Sequence, residues 1–215
     1  MDAPTPTITV EADPFIPYVE EADYPEHLRP ILEPYMSRMG FIPNALKLHM
    51  HRPEIAETLW KLNSNIMRDP SSTVDQKLKR KLSVVASTGN GCNYCTSHCC
   101  GMLKAASGKE AEGWGVGETE LQALVDGTGG WDDEAEQAAI EFVREATTDP
   151  ANILASTHAK LKAHFSPPQI VEIAMVASFW KFYNTLHDCL NIPIENHVLH
   201  DTGYTAIAAK KAYGG

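Results

Sequence analysis

Glycine and proline in this chain fall between apolar segments of helical period, and few runs alternate at period two. That placement leaves helices packed on helices as the available architecture. The first helix is expected after Asp23, with Pro25 early in its first turn and Pro30 and Pro34 disturbing it, and it stops before Gly40. A second starts at Asn44, read as its N-cap, and runs toward His51. "PEIAETLWKLNSNIM" carries Ile55, Leu59, Leu62 and Ile66 on one stripe. Further helices are expected over Val74 to Ser87, across the cysteine-rich stretch that follows, and over Leu121 to Val125. Others cover Asp132 to Thr147, Leu154 to His164 and Pro167 to about Leu190. The glycines of "GKEAEGWGVGETE" interrupt the pattern.

Two stretches resemble each other. "KLSVVAS" (Lys81 to Ser87) and "EIAMVAS" (Glu172 to Ser178) stand 91 residues apart, and the same offset matches Asn93 with Asn184. The fold expected is therefore all-α, one helical domain over residues 15–215 built from two related halves, about 15–125 and 126–215. Its 215 residues, 43% apolar, suffice for one sizeable core. Residues 1–14 read as a flexible arm.

"GNGCNYCTSHCCGMLK" holds four of the five cysteines. A helix starting near Gly91 puts Cys92, Cys95 and Cys99 at i, i+3 and i+7, within about 60° of one another, with His98 flanking that face and Cys100 pointing away. Cys92 and Cys95 make a C-x-x-C at a helix start, where free N–H groups and the helix dipole favour a thiolate. The spacing lets the two sulfurs close into a disulfide and reopen with electrons from a thiol donor. Two other readings compete: buried thiols acting as small hydrophobes, and a zinc site drawn from Cys92, Cys95, His98 and Cys99. One short helix wraps a tetrahedron poorly, although Cys189 or a distant histidine would complete one.

"GFIPNALKLHMHRPEIAETLWKLNSNIM", an apolar helix, then "NGCNYCTSH" and the closing "FWKFYNTLHDCLNIPIE" appear in an order that resembles the carboxymuconolactone decarboxylase and alkylhydroperoxidase D superfamily. The likeness runs over roughly residues 15–197, and its nearest form is the two-repeat, peroxidase-related branch. The resemblance implies an oligomeric all-helical protein whose C-x-x-C reduces hydroperoxides or exchanges disulfides. It makes Cys95 the attacking thiol and Cys92 the resolving one. Two positions depart from that pattern. The glutamate of thiol-active members, twelve residues before the first cysteine, is Arg80 here. Their histidine four residues after the second is Cys99, with His98 one place earlier.

The expected function is thus a thiol-dependent peroxidase or disulfide reductase without metal or organic cofactor. Cys95 and Cys92 are its thiols, His98 its proton donor, and Cys99, Arg80 and Tyr183 its auxiliary residues. The alternative is a cofactor-free lyase or decarboxylase acting on a small organic acid, with Arg80 as the cation for its carboxylate. "KLKRK" (Lys77 to Lys81) reads most simply as a solvated face, and an inward Arg80 would be an anion clamp beside a low-pKa Cys95. Tyr183, Asn184 and His187 lie on the long second-half helix. His49 and His51 read as surface histidines at a helix end. A net charge of −10 argues against nucleic-acid and anionic-membrane partners. No apolar run approaches the roughly 20 residues of a membrane span, and "MDAPTPTITVEADPF" has no basic start or apolar core. The cytoplasm is the expected location, with a thiol donor protein and further copies of the chain as partners.

Overall fold

The structure is a computed structural model and describes residues 14–104, 114–195 and Val198. The expected arm at residues 1–14 lies outside them apart from Pro14. Among the described residues every regular element is helical, as the spacing of glycine and proline requires. Two single 3-10 turns, Glu21–Asp23 and Glu26–Leu28, lead into α1 (Arg29–Met39). There follow α2 (Asn44–His49), α3 (Pro53–Arg68), α4 (Gln76–Gly89), α5 (Asn93–Lys104) and α6 (Glu118–Asp126). The chain continues through α7 (Glu134–Thr148), α8 (Ala155–His164) and α9 (Pro167–Cys189). No helix among the described residues is long and apolar enough to cross a membrane.

Local chemistry sets most of these boundaries. Asp75 and Asp133 cap α4 and α7, accepting from the N–H groups of Leu78 and Glu136. Pro53 and Pro167 open α3 and α9, where a missing N–H costs nothing. At the start of the chain the sequence reading was too generous. Pro25 separates two 3-10 turns and α1 begins only at Arg29, with Pro30 in its first turn and Pro34 tolerated inside it.

α4 is the central element and packs against α3, α5, α6, α7 and α9. Because neighbours surround it, residues 78–88 are all buried, and an amphipathic pattern would have no solvent to face. This corrects the reading of "KLKRK" as a solvated face. Lys79, Arg80 and Lys81 are all inside, at 1%, 3% and 0% exposure. Their charges are met by partners from distant sequence. Lys79 Nζ donates to the Ile66 carbonyl and pairs with Glu172 at 2.9 Å. Lys81 Nζ lies 2.7 Å from Glu136 and 3.2 Å from Asp132. Burial pulls the Lys81 ammonium down, but the hydrogen bonds and charges of Glu136 and Asp132 outweigh it and hold its pKa above the ordinary lysine value.

The stripe expected on α3 is also shifted. Leu59 and Ile66 are buried, but so are Ala56, Trp60, Asn63 and Met67, while Ile55 and Leu62 are exposed. The face that packs is set by where α2, α4 and α9 contact it, about 70° round the helix from the one richest in aliphatic residues.

Candidate functional site

The turn between α4 and α5 positions the thiol pair. Gly91 adopts φ 77°, a left-handed conformation that a side chain would strain. Its N–H bonds the Thr88 carbonyl and the Cys92 N–H bonds the Ser87 carbonyl, the Schellman pattern that closes a helix. The next residue already starts α5. Cys92 is thus the cap of α5, one residue later than a start at Gly91 would have it, and its Sγ accepts the Cys95 N–H at 3.4 Å. A single left-handed glycine therefore turns the chain so that one helix ends where the C-x-x-C begins.

The end of α9 repeats the device with Asn191, φ 46°. The Asn191 N–H bonds Asp188 O and the Ile192 N–H bonds His187 O. This turn brings "NIPIE" back over α5, and it leaves His187 and Asp188 facing the thiols. His187 Nδ1 lies 3.1 Å from Cys95 Sγ. The Asp188 carboxyl, pushed up by burial, is held back by a hydrogen bond from Cys92. Consecutive residues of the second half thus address the two cysteines of the first.

A second layer surrounds that contact. His98, expected against the thiols, pairs instead with Glu195, Nε2 to Oε2 at 2.7 Å. Glu195 also accepts from the Asn44 N–H and from the Tyr94 hydroxyl at 3.1 Å. Burial pushes the Glu195 carboxyl up, but the His98 charge and hydrogen bond and the Asn44 N–H outweigh it and keep it below the ordinary carboxylate value. The Tyr94 hydroxyl accepts the Ala45 N–H at 3.1 Å. Asn44 itself is the first residue of α2 and not its cap; Pro43 holds that place, which frees the Asn44 amide to donate to the Pro193 carbonyl. The rings of His49, Tyr94, Tyr183 and His187 form a contiguous aromatic wall, with centroids 4.2 Å apart for Tyr183–His187 and 5.4 Å for Tyr94–His187.

Electrostatically this is a dry site. Burial pushes the Cys95 thiol well up, and the neighbouring Cys92, Cys99 and Asp188 add to the rise. That corrects the expectation of a low Cys95 pKa. Cys95 sits one turn inside α5, at 2% exposure, where desolvation outweighs the dipole. Burial also lowers His187 well below the ordinary histidine value, with help from His49 and His98. Arg80 does turn inward, but its charge bears on Cys99. Cys99 is raised by burial to about 11 in spite of hydrogen bonds with Ser83 and Ser87 and that guanidinium. Cys100 is buried in the core and Cys189 is exposed, so neither joins the pair. Among the described residues no group of three or more histidine, cysteine or acidic side chains is arranged to hold a metal ion.

Sequence reasoning named Cys92, Cys95 and Tyr183 and put His187 with Tyr183 on the long second-half helix, but it read the buried His49 as a surface histidine. One signal was available: "NIPIE" follows a helix-closing Asn, which returns the chain toward whatever that helix covers.

No family model matches the chain. No curated protein matches it either. Solved structures do. An uncharacterized peroxidase-related protein from Ralstonia eutropha JMP134, described as an alkylhydroperoxidase AhpD core, superposes with a TM-score of 0.73 at 16% identity, over 86% of this chain and 94% of that one. The debrominase Bmp8, in a cysteine-to-alanine form bound to 2,3,4-tribromopyrrole, gives a TM-score of 0.72 at 23% identity, over 86% and 95%. A peroxidase-related protein from Silicibacter sp. TM1040 gives 0.69 at 20% identity, over 85% and 94%.

Proposed function

Starting from a chain with the alkylhydroperoxidase D-like all-helical fold, we propose that it is a thiol-dependent oxidoreductase that reduces hydroperoxides through Cys95 and Cys92. The observation that carries this reading is the 3.1 Å contact between Cys95 Sγ and His187 Nδ1, with a second thiol at the cap three residues earlier. His187 is neutral because of its burial and accepts the Cys95 proton as the hydroperoxide enters. The sulfur then bonds to the nearer oxygen, the O–O bond breaks, and the departing alkoxide takes that proton from His187. Cys95 is left as a sulfenic acid and the alcohol departs.

In the second half of the cycle Cys92 gives up its proton toward Asp188 and attacks the Cys95 sulfur. Water leaves and a Cys92–Cys95 disulfide forms. A dithiol donor reduces it through a mixed disulfide and restores both thiols. Raising the Cys95 pKa by burial keeps the resting thiol protonated and unreactive, so deprotonation is tied to the arrival of a substrate. His98 and Glu195 hold Tyr94, which in turn packs edge-on against the His187 ring. That arrangement gives His98 a positioning role.

A second reading has an observation of its own. The aromatic wall beside Cys95 suits a flat ring as well as a peroxide, and the debrominase of like fold binds a brominated pyrrole. In that chemistry the thiolate would take the halogen as a sulfenyl halide, and the carbanion left on the ring would take the proton from His187. Cys92 would then release halide by forming the same disulfide. The lyase alternative is less well supported. A carboxylate substrate needs a cation at the reacting centre, whereas the groups that meet Cys95 and Cys92 are a neutral imidazole and the Asp188 carboxyl, and the Arg80 charge bears on Cys99.

The test is direct. Reduced protein is mixed with hydrogen peroxide, cumene hydroperoxide and a bromopyrrole, and thiols are titrated before and after. Peroxide reduction predicts loss of two thiols, with one cumyl alcohol released per disulfide from cumene hydroperoxide and only water from hydrogen peroxide. Unchanged thiols with every oxidant overturn the redox reading; two thiols lost with bromide released, and none with peroxides, select the second.

A further inference from the structure

His49 is the last residue of α2, a helix pinned at its other end by Glu195, Pro193 and Tyr94. It is not at the surface: it is buried, and its ring lies 5.3 Å from the His187 ring and 5.7 Å from Tyr183. The Trp60 indole N–H donates to His49 Nδ1 at 3.4 Å. That fixes the tautomer with the proton on Nε2. This Nε2, like the Nε2 of His187, is buried with no hydrogen-bond partner among the described residues. A donor left in that condition costs free energy, and an aromatic ring of similar size would fill the space without the cost. Burial also lowers its pKa to about 4, so at neutral pH it is an uncharged N–H donor.

Two buried imidazoles, each engaged at Nδ1 and open at Nε2, thus meet beside the reactive sulfur. We infer that His49 and His187 form a recognition site for the oxygen atoms of an uncharged hydroperoxide, in which the His49 Nε2–H donates to the oxygen that leaves. This rests on the thiol-redox reading for the reaction itself. His187 exchanges the proton; His49 keeps its own and stabilises the alkoxide as the O–O bond lengthens. An anionic peroxide gains less from this pair, because two neutral imidazoles provide no countercharge in a site with buried sulfurs and the Asp188 carboxylate close by.

The inference is tested in two ways. In the first, cumyl alcohol, the product mimic, is titrated into the Cys95→Ser protein while the imidazole nitrogens are followed by NMR. A shift of the His49 Nε2 signal that saturates is expected. In the second, the rate of thiol loss with cumene hydroperoxide is compared between wild type, His49→Phe and His49→Gln. His49→Phe should react roughly 100-fold more slowly. His49→Gln, which keeps an N–H donor, should recover to within about tenfold of wild type. The iodoacetamide pH profile of Cys95 should be unchanged in both. A His49 signal that does not move, together with wild-type rates in His49→Phe, overturns the inference and leaves the redox reading standing. If wild type consumes no peroxide but the signal moves, the redox reading fails and the oxygen site stands. If His49→Phe does not fold, His49→Gln and the titration decide.

Discussion

Cys95 Sγ and His187 Nδ1 meet at 3.1 Å although 92 residues separate them. The contact is made across the packing of α5 on α9, so this thiol and this imidazole come from opposite halves of the chain. Replacing His187 by Phe keeps the ring and removes the proton acceptor. We expect sulfenic-acid formation at Cys95 to slow by about 10²-fold or more, with the helical signal intact. Stopped-flow thiol loss measures it; a rate within threefold of wild type would return the proton role to His98.

The two cysteines are separable by their structural duties. Cys95→Ser should abolish peroxide reactivity, and Cys92→Ser should trap a sulfenic acid at Cys95. Serine is a good N-cap, so Cys92→Ser should also leave stability near wild type, whereas Cys92→Ala loses the acceptor for the Cys95 N–H and should cost about 1 kcal/mol. Mass spectrometry and urea melts of the three variants give both answers. A trapped sulfenic acid at Cys92 instead would exchange the roles of the pair.

Acid should destabilise the fold early. Burial lowers His49 from 6.5 to about 4, so below pH 6.5 the unfolded chain binds a proton that the folded chain refuses. The stability from this group is complete above pH 6.5 and is lost as pH falls toward 4, by about 3 kcal/mol. His187 moves in the same direction. Urea midpoints measured from pH 7.5 to 4.5 should fall steeply for wild type and less for His49→Phe. Parallel curves would mean that His49 is protonated in the native state.

Glu195 joins α2, α5 and the chain after α9 through Asn44, Tyr94 and His98. Glu195→Gln retains an acceptor for Asn44 but removes the charge opposite His98. The expected result is a loss of about 2 kcal/mol, faster exchange of the Asn44 and Ala45 amides, and slower peroxide reaction. Amide exchange confined to the termini would show that Glu195 does not hold α2.

Lys79 offers a test away from the site. Its ammonium is buried and is met by Glu172 and the Ile66 carbonyl beside a groove of about 290 Å³ lined by Leu62, Asn65 and Val171. Glu172→Ala should cost about 2 kcal/mol, at the lower end for a broken buried pair because the Glu172 side chain is 29% exposed. Lys79→Met combined with Glu172→Leu should recover most of it. Additive losses in a double-mutant cycle would show that the pair is not coupled.

Much of this protein was determined by the sequence alone, wherever the deciding interaction spans a turn or two. Apolar period and proline positions place α3 to α9 within a few residues of where they occur, and Gly91 before Cys92 sets the thiol pair at a helix start. The tertiary structure decided what those residues face. "KLKRK" looks solvated until α4 is enclosed by five other helices. Cys95 looks activated by a helix dipole until burial raises its pKa instead. His98, near in sequence, is engaged by Glu195, and the thiol finds His187 from the other half. The reason is physical: caps, turns and periodicity act over three or four residues and are written locally. Desolvation and ion pairing depend on which helices come together, and that is fixed only when the whole core closes.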